Sequence, residues 1–267
     1  GYNKLDGLTS DAHIAWALDQ LGVPAGLRNL STGTVVMGPA DAKDQDALQW
    51  MRQVTSTECG SLYVDHRDGG KIRYTNRYHR FLNSRSTTSQ ATFTDDSAAS
   101  PTVSILYTAE GLEVAANGLD GIVNQATVSW ADGEVTVTAD ASFAAYGPRQ
   151  RTVETVATTA GQARSAGEWL TVRYAQPRSR VRGCVASARS TQQRHDKVQR
   201  LRLDDRVTFR VQPLKIGTAT TVNLFVDGVT HRAVELEWET SFRFAQVDTF
   251  TPWIWGTSAW NTTAYWG

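Results

Sequence analysis

The sequence predicts an α+β fold rich in strand, in which a small helix–hairpin α/β domain is followed by a β-barrel or sandwich domain with one flanking helix. Three observations predict it. Two stretches before residue 60 repeat apolar residues at helical spacing. From about residue 102 apolar and polar residues alternate in several short runs. One helix-period stretch, closed by Pro177, interrupts those runs.

Residues 1–83 make the first expected domain. In TSDAHIAWALDQLGVP, Ser10 is placed to cap a helix on which Ile14, Leu18 and Leu21 repeat, and Gly22 followed by Pro24 stops it. TGTVVMG is a short strand candidate. A second helix runs through AKDQDALQWMRQVTSTECG, with Leu48, Met51 and Val54 on one side and Gly60 at its end. GSLYVDHRDGGKIRYTNR then reads as a hairpin: Leu62 and Val64 alternate before the Asp68-Gly69-Gly70 turn, Ile72 and Tyr74 after it.

Residues 84–101 shift to Ser, Thr, Ala and Asp, which reads as a linker and sets the expected domain boundary. The second domain, 102–250, opens with SILYTAEGLEVAANG and NQATVSWADGEVTVTAD, the latter two strands joined at Asp132-Gly133. In TAGQARSAGEWLTVRYAQP, Ala163, Ala166, Leu170 and Tyr174 form one stripe, whose small residues let the helix approach a sheet closely. Strands resume at SRVRGCVASA, at RLRLDDRVTFRV and in the ribbon FVDGVTHRAVELEWETSFRF, where Asp227-Gly228 is the expected turn. Beyond it Val234, Leu236 and Trp238 are expected on a dry face, with Glu235, Glu237 and Glu239 on an acidic one. Residues 251–267 form a tail carrying Trp253, Trp255, Trp260 and Trp266, rings costly to leave in water.

A chain of 267 residues with 40% hydrophobic content can build real cores, and no apolar run approaches the ~20 residues of a membrane-spanning helix. The chain opens on Gly1 without a basic-then-apolar leader, and reads as the processed or ordered part of a longer protein. Cys59 and Cys184 are too few and too far apart for a disulfide framework, so reduced, buried thiols are expected. The net charge of zero hides an asymmetry. Residues 149–215 hold 15 Lys/Arg and 5 Asp/Glu, a net of +10 that the rest of the chain balances. Such segregation serves a nucleic-acid surface or the meeting of identical copies. The arginines are scattered between apolar strand positions, which favours copies.

No cofactor, metal or catalytic set is expected. His13, His66, His79, His195 and His231 match no metal-ligand spacing. Asp65, His66 and Asp68 suit a polar turn better than acid–base chemistry, and three glutamates at strict alternation suit a sheet face better than a glycosidase pair. There is no nucleophile elbow and no phosphate-cradling loop. The tryptophans of the tail suit a subunit interface, where Trp is enriched; a host-recognition or carbohydrate-binding module that stacks sugars on them is the alternative.

The phrases ALQWMRQVTSTECGSLYVDHRDGGKIRYTNR, NQATVSW, ASFAAYGPRQRTVET, GEWLTVRYAQPRSRV, LRLDDRVTFRV and the ribbon, in that order, resemble minor tail proteins of long-tailed actinobacteriophages, proteins of tail-hub or baseplate type. The motif positions are Thr57, Glu58, Gly60 and Leu62, then Pro177, Arg178, Arg180 and Val181, then Asp205, Arg206 and Val207. The resemblance implies a tail-tube-like domain over 102–250 and an accessory domain over 1–83, in a non-enzymatic virion subunit at the tail tip. It further implies a ring of copies, a homotrimer or a hexamer, joining the tail tube or distal tail protein and the tape measure to the tip fibres. DNA would pass the lumen without specific binding. The expected interface residues are Trp253, Trp255, Trp260, Trp266, Glu235, Glu237, Glu239, Arg178, Arg180 and Arg182, and the sheets are expected to close only between copies.

Overall fold

The computed structural model describes residues 5–38, 46–108, 110–114, 121–177, 181–187, 191–211, 218–234, 237–247, 251–252 and 264–265. In chain order the elements are α1 (Ser10–Gln20), β1 (Arg28–Leu30), α2 (Ala47–Glu58), β2 (Ser61–Asp65), β3 (Lys71–Thr75), α3 (His79–Leu82), α4 (Ser84–Thr87), β4 (Ser89–Thr94), β5 (Ser104–Tyr107), β6 (Glu113–Val114), β7 (Gln125–Trp130) and β8 (Gly133–Thr138). They continue with α5 (Asp140–Tyr146), β9 (Gln150–Glu154), α6 (Ala160–Tyr174), β10 (Val181–Ser187), α7 (Gln192–Arg200), β11 (Arg206–Val211), β12 (Thr220–Val234), β13 (Glu237–Gln246), β14 (Thr251–Pro252) and β15 (Ala264–Tyr265). The fold is α+β and rich in strand.

Two compact units form, and both are discontinuous in sequence: 1–79 with 121–177 and 250–267, and 80–120 with 178–249. This partition differs from a division at 84–101. Segment 121–177 packs with the N-terminal residues because its sheet and helix supply a surface that α2 needs: the Val156 amide donates to Thr57 Oγ1 at 2.9 Å, and the Gln162 side chain donates to the Val36 carbonyl at 2.8 Å.

In the first unit α1 and α2 cover one face of the mixed sheet β1-β3-β2, burying Ile14, Leu18, Trp50, Met51, Val54 and Tyr74. Gly22 ends α1 at φ +67, as its position after the last periodic residue predicts. Leu21 and Leu48 are exposed, contrary to expectation; Trp50 takes the buried place on α2. Residues 32–38 make isolated bridges, Thr9 to Val36 and Met37 to Ala157, rather than a strand. A second sheet, β8-β7-β9, carries α6 on one face. The small stripe does what it predicts: a Cβ on Gly167 would meet Val137 Cγ2 at 2.8 Å, so helix and sheet touch almost backbone to side chain.

The second unit is a closed barrel. The strand order β13-β12-β11-β4-β5-β10 returns on itself because β10 pairs antiparallel with β13 over Gly183–Ser187 against Arg243–Glu239. β6 continues from β10 on its other side, beyond β5. Alternate residues point inward: Ala91 and Phe93, Ile105 and Tyr107, Cys184 and Ala186, Val207 and Phe209, Leu224 and Val226, Phe242 and Phe244. Phe93 is the hub of this interior, with ring centroids 5.2 Å from Phe242 and Phe244 and 5.7 Å from Phe209. Each buried phenyl contributes about 1.5–3 kcal/mol relative to exposure. α7 lays Val198 on this core, with Leu201 just after it. That helix is not expected from the sequence, because QQRHDKVQR has one apolar residue and no stripe.

Three expectations are corrected here. The sheet of this unit closes within one chain, not between copies. Residues 84–101 are no linker: β4 lies between β11 and β5, parallel to both, with Ala91 and Phe93 inside. Thr-rich SQATFT looks polar, but Thr is a good strand former and only the alternate residues need be apolar. Asp227-Gly228 is not a turn but an irregularity inside the 15-residue β12, where the register against β13 shifts between Val226 and Gly228. Glu235 and Leu236 lie outside the described residues.

Candidate assembly surface

The β12–β13 ribbon outruns the barrel. β11 pairs with β12 only over Thr220–Phe225, whereas β13 follows β12 to Val234. From Gly228 to Val234, β12 runs with β13 past the end of its ladder with β11. This overhang keeps the two faces of the barrel wall. Val229, His231 and Ala233 share the face of their partners Phe242, Thr240 and Trp238; Gly228, Thr230 and Arg232 share that of Arg243, Ser241 and Glu239.

On the first face Trp238 is 40% exposed and sits between two imidazoles. The ring of His231 lies 5.5 Å away and that of His195, from α7, 5.9 Å away edge to face. Thr240 is wholly buried, takes the indole N–H at 3.2 Å and shares a hydrogen bond of 3.0 Å with His231 Nδ1. On the second face Glu239 stands 3.9 Å from Arg232, both largely exposed. Glu239 of the expected glutamate row thus meets a cation on its own sheet.

The barrel end below the ribbon is fixed by the DDRV sequence. Asp204 adopts φ +66 and receives Arg80 Nε at 2.6 Å, while Arg80 also reaches Asp227 at 3.1 Å and stacks over Phe225. Asp205 takes Arg85 Nε at 2.7 Å and the Arg202 amide at 2.8 Å. The hydrogen bond to Asp205 raises the pKa of Arg85.

In the other unit Glu58 is fully buried at the centre of a hydrogen-bonded cluster. Its Oε2 accepts Ser10 Oγ at 2.7 Å and the amides of Thr34 and Val35 at 3.0 and 2.9 Å, and Oε1 takes the Thr34 hydroxyl and faces Arg77 at 3.7 Å. Donors reach both oxygens, which makes this a structural tie. Arg77 adds a hydrogen bond to the Glu58 carbonyl at 2.9 Å. A Cβ on Gly60 would lie 2.2 Å from the Thr75 carbonyl oxygen, so only glycine lets β2 leave α2 there. Asp65 and Asp68 act as turn residues: Asp65 binds the Arg67 amide and Arg73, and Asp68 binds Asn29 and Lys71. Burial pushes both thiols, Cys59 and Cys184, above their ordinary pKa, and both are free.

Of the expected interface residues, Glu239 lies at one end of the β10–β13 ladder and Arg182 just beyond the other, exposed. Glu237 lies at the start of β13, its side chain outside the described residues. Trp253, Trp255, Trp260, Trp266, Glu235, Arg178 and Arg180 also lie outside them. Sequence reasoning missed Trp238, His195 and His231 as a group, and no local spacing could have joined α7 to the ribbon. It did single out Glu58, Gly60 and Asp205 as motif positions.

The described residues hold no group of three or more side chains that could bind a metal ion. No protein-family model matches the sequence, and no curated protein matches it. Among solved structures the chain is similar to the tail protein from Neisseria meningitidis MC58, with a TM-score of 0.58 and 11% identity, over 90% of this chain and 67% of that one. It also matches the prophage MuSo2 43 kDa tail protein from Shewanella oneidensis, with a TM-score of 0.47 and 9% identity, over 90% of this chain and 64% of that one. The chain spans about two thirds of the length of either. The Neisseria likeness shows a shared fold.

Proposed function

We propose that this chain is a structural, non-enzymatic subunit of a phage tail. Its place in this reading is the tail tip, in a hub or baseplate ring that joins the tube to the tip fibres and surrounds the DNA exit channel. The observation that carries the reading is the barrel with its overhanging ribbon, in a fold shared over most of the chain with a tail protein. A ribbon that outruns its barrel offers surface to copies of the chain standing beside it. Tail structures need such repetition, and they need no reaction centre. The segregated charge of the sequence supports head-to-tail contact, since basic parts of one copy can meet acidic parts of the next. Like charges on the wall of a channel keep DNA moving, so the reading expects a lumen lined by acidic and neutral side chains rather than by the arginines of 149–215.

The test is the mass and symmetry of the full chain, by sedimentation velocity and negative-stain electron microscopy. Rings with three-fold or six-fold symmetry are expected. A single copy at every concentration up to the solubility limit overturns the reading.

A further inference from the structure

We propose that β8 pairs antiparallel with β8 of a second copy of this chain, about a two-fold axis at Thr136, and that the flank of α6 bearing Arg164 and Glu168 meets its own counterpart above the seam. The inference does not rest on the ring reading. It concerns the free chain, and it adds a contact that closes on two copies where a ring needs one that runs head to tail.

Among the described residues β8 pairs only with β7, from Gln125 opposite Thr138 to Trp130 opposite Gly133, around a two-residue turn. Such a turn makes Trp130 and Gly133 a pair that exchanges both backbone hydrogen bonds, and every second pair after it does the same. The Ala139 amide keeps this rhythm, donating to the Asn124 carbonyl at 2.8 Å. Gly133, Val135 and Val137 therefore turn their backbone groups to β7, and Glu134, Thr136 and Thr138 turn theirs outward. These last three residues are exposed. An edge of this kind is a template for another strand.

The outward groups fix the register. With Thr136 on the axis, Glu134 of one copy stands opposite Thr138 of the other and Thr136 opposite Thr136, so all three outward residues enter hydrogen-bonded pairs. An axis at Val135 or Val137 leaves one of the three without a strand residue to face. A slip by one residue is excluded, because a two-fold axis through the sheet keeps each residue opposite one of its own face. Under α6, Val135 of one copy then meets Val137 of the other, both half-buried. β9, the other edge of this sheet, matches less well: antiparallel with Val135 opposite Val153, it sets Glu134 against Glu154.

The helix supplies the charge. A Cβ on Gly167 would meet Val137 Cγ2 at 2.8 Å and Val128 Cγ2 at 3.4 Å, so α6 sits above the gap between β8 and β7. Neighbouring strands lie about 4.8 Å apart. Two helices seated over such gaps on either side of the seam therefore stand about 10 Å apart, a spacing at which helices pack. Ser165 and Trp169 mark the flank of α6 turned away from the seam, toward Arg77. Arg164 and Glu168, one turn apart on the opposite flank, overlook the β8 edge; the first is exposed and the second half-buried. The axis runs the two helices antiparallel and brings Arg164 of each copy toward Glu168 of the other. A flank with one cation and one anion is thus its own complement.

The experiment uses the full chain with Thr136→Cys, oxidised under native conditions and run on a non-reducing gel. A covalent pair is expected from this single variant, because only a two-fold axis brings a residue to its own copy. The wild-type chain controls for Cys59 and Cys184, whose thiols burial holds above their ordinary pKa. Thr136→Pro removes an outward N–H and leaves the ladder with β7 intact, and single copies are expected from it in sedimentation velocity. Arg164→Glu or Glu168→Arg alone weakens pairing roughly tenfold, and the two together restore it to within about threefold. Circular dichroism confirms that each variant folds. Absence of a covalent pair from Thr136→Cys, with association indifferent to Thr136→Pro, overturns the proposal. So do covalent multimers that form only when Thr152→Cys is added, which show β8 on β9. Pairs without rings uphold this inference and count against the ring reading. Rings that ignore these variants do the reverse, and a single copy throughout overturns both.

Discussion

Ser10 gives its hydroxyl proton to Glu58 across 48 residues of sequence, at 2.7 Å, and itself receives the Tyr74 hydroxyl at 2.7 Å. The start of α1, the end of α2 and β3 are thereby tied at one buried carboxylate. A residue placed by sequence as a helix cap turns out to hold the tertiary structure, and the N-cap position belongs to Thr9, which makes no side-chain cap.

Replacing Glu58 with Gln tests that tie. The amide turns an NH₂ toward the Ser10, Thr34 and Val35 donors or toward Arg77, and no rotamer satisfies both sides. Loss of about 3 kcal/mol of stability in the first unit is expected, in line with a buried charge left without its partner. Urea unfolding followed by tryptophan emission measures it, and a loss under about 1 kcal/mol would mean that the cluster is not the anchor described here.

Gly60→Ala probes the same junction through the backbone. The added methyl meets a carbonyl oxygen, which a side-chain rotation cannot relieve. A cost of about 1–3 kcal/mol is expected. Gly167→Ala, which meets side-chain atoms of Val137 and Val128 and no backbone, costs less. Equal effects of the two variants would contradict the difference between a backbone and a side-chain obstacle.

His13 sets an acid limit on the first unit. Its side chain is wholly buried against Trp50, with ring centroids 5.8 Å apart, and burial lowers its pKa from 6.5. Above pH 6.5 the imidazole is neutral in both states and contributes no slope. Below that, the unfolded chain binds a proton that the folded chain refuses until its own lower pKa is passed, so stability falls as acid is added. His13→Leu removes this component of the slope below pH 6.5. The same slope in variant and wild type would show that other groups set the acid limit.

Asp205 plays in the barrel unit the part that Glu58 plays in the other. Only 2% exposed, it ties the residue before β11 to Arg85 on α4 and to the Arg202 amide. Asp205→Ala strands the guanidinium and the amide, and a loss of about 2–4 kcal/mol is expected. Arg85→Met, which removes the cation and keeps much of the apolar stem, should cost less, because the remaining aspartate can draw water to the 39% exposed Arg85 position. The reverse order of the two costs would place the weight of this corner elsewhere.

Much of the fold was legible where local chemistry and tertiary structure agree. Ile14 and Leu18 are both buried at helical spacing, β2 and β3 pair as the expected hairpin although Val64 on its apolar stripe is exposed, and the small residues of α6 sit where a sheet must approach. It was illegible where one local signal serves two structures. Asp227-Gly228 suits a hairpin turn and a strand irregularity equally well, and only the partner strand β13 decides. Ser84–Thr94 has the composition of a linker, yet its alternation of Ala91 and Phe93 fills a barrel. The interleaving of the two units has no local signature, because long-range partners select it. The Trp238 patch draws on α7, β12 and β13, so no window of sequence contains it.

Closure of the barrel within one chain makes the sharpest prediction about the monomer. The ladder between Gly183–Ser187 and Arg243–Glu239 completes the ring of strands around Phe93, Phe209, Phe242 and Phe244, and its amides can open only if that aromatic core opens too. Hydrogen exchange on the chain at a dilution where single copies prevail should therefore find the ladder amides among the slowest of the barrel unit. Amides of β12 beyond Gly228 lie past the ladder with β11 and should exchange faster, then slow on concentration as copies meet. Phe242→Ala, which empties the centre of the seam, should cost about 3–5 kcal/mol and release the ladder amides together. Protection of the ladder that appears only on concentration would show the opposite arrangement, a sheet completed by its neighbours.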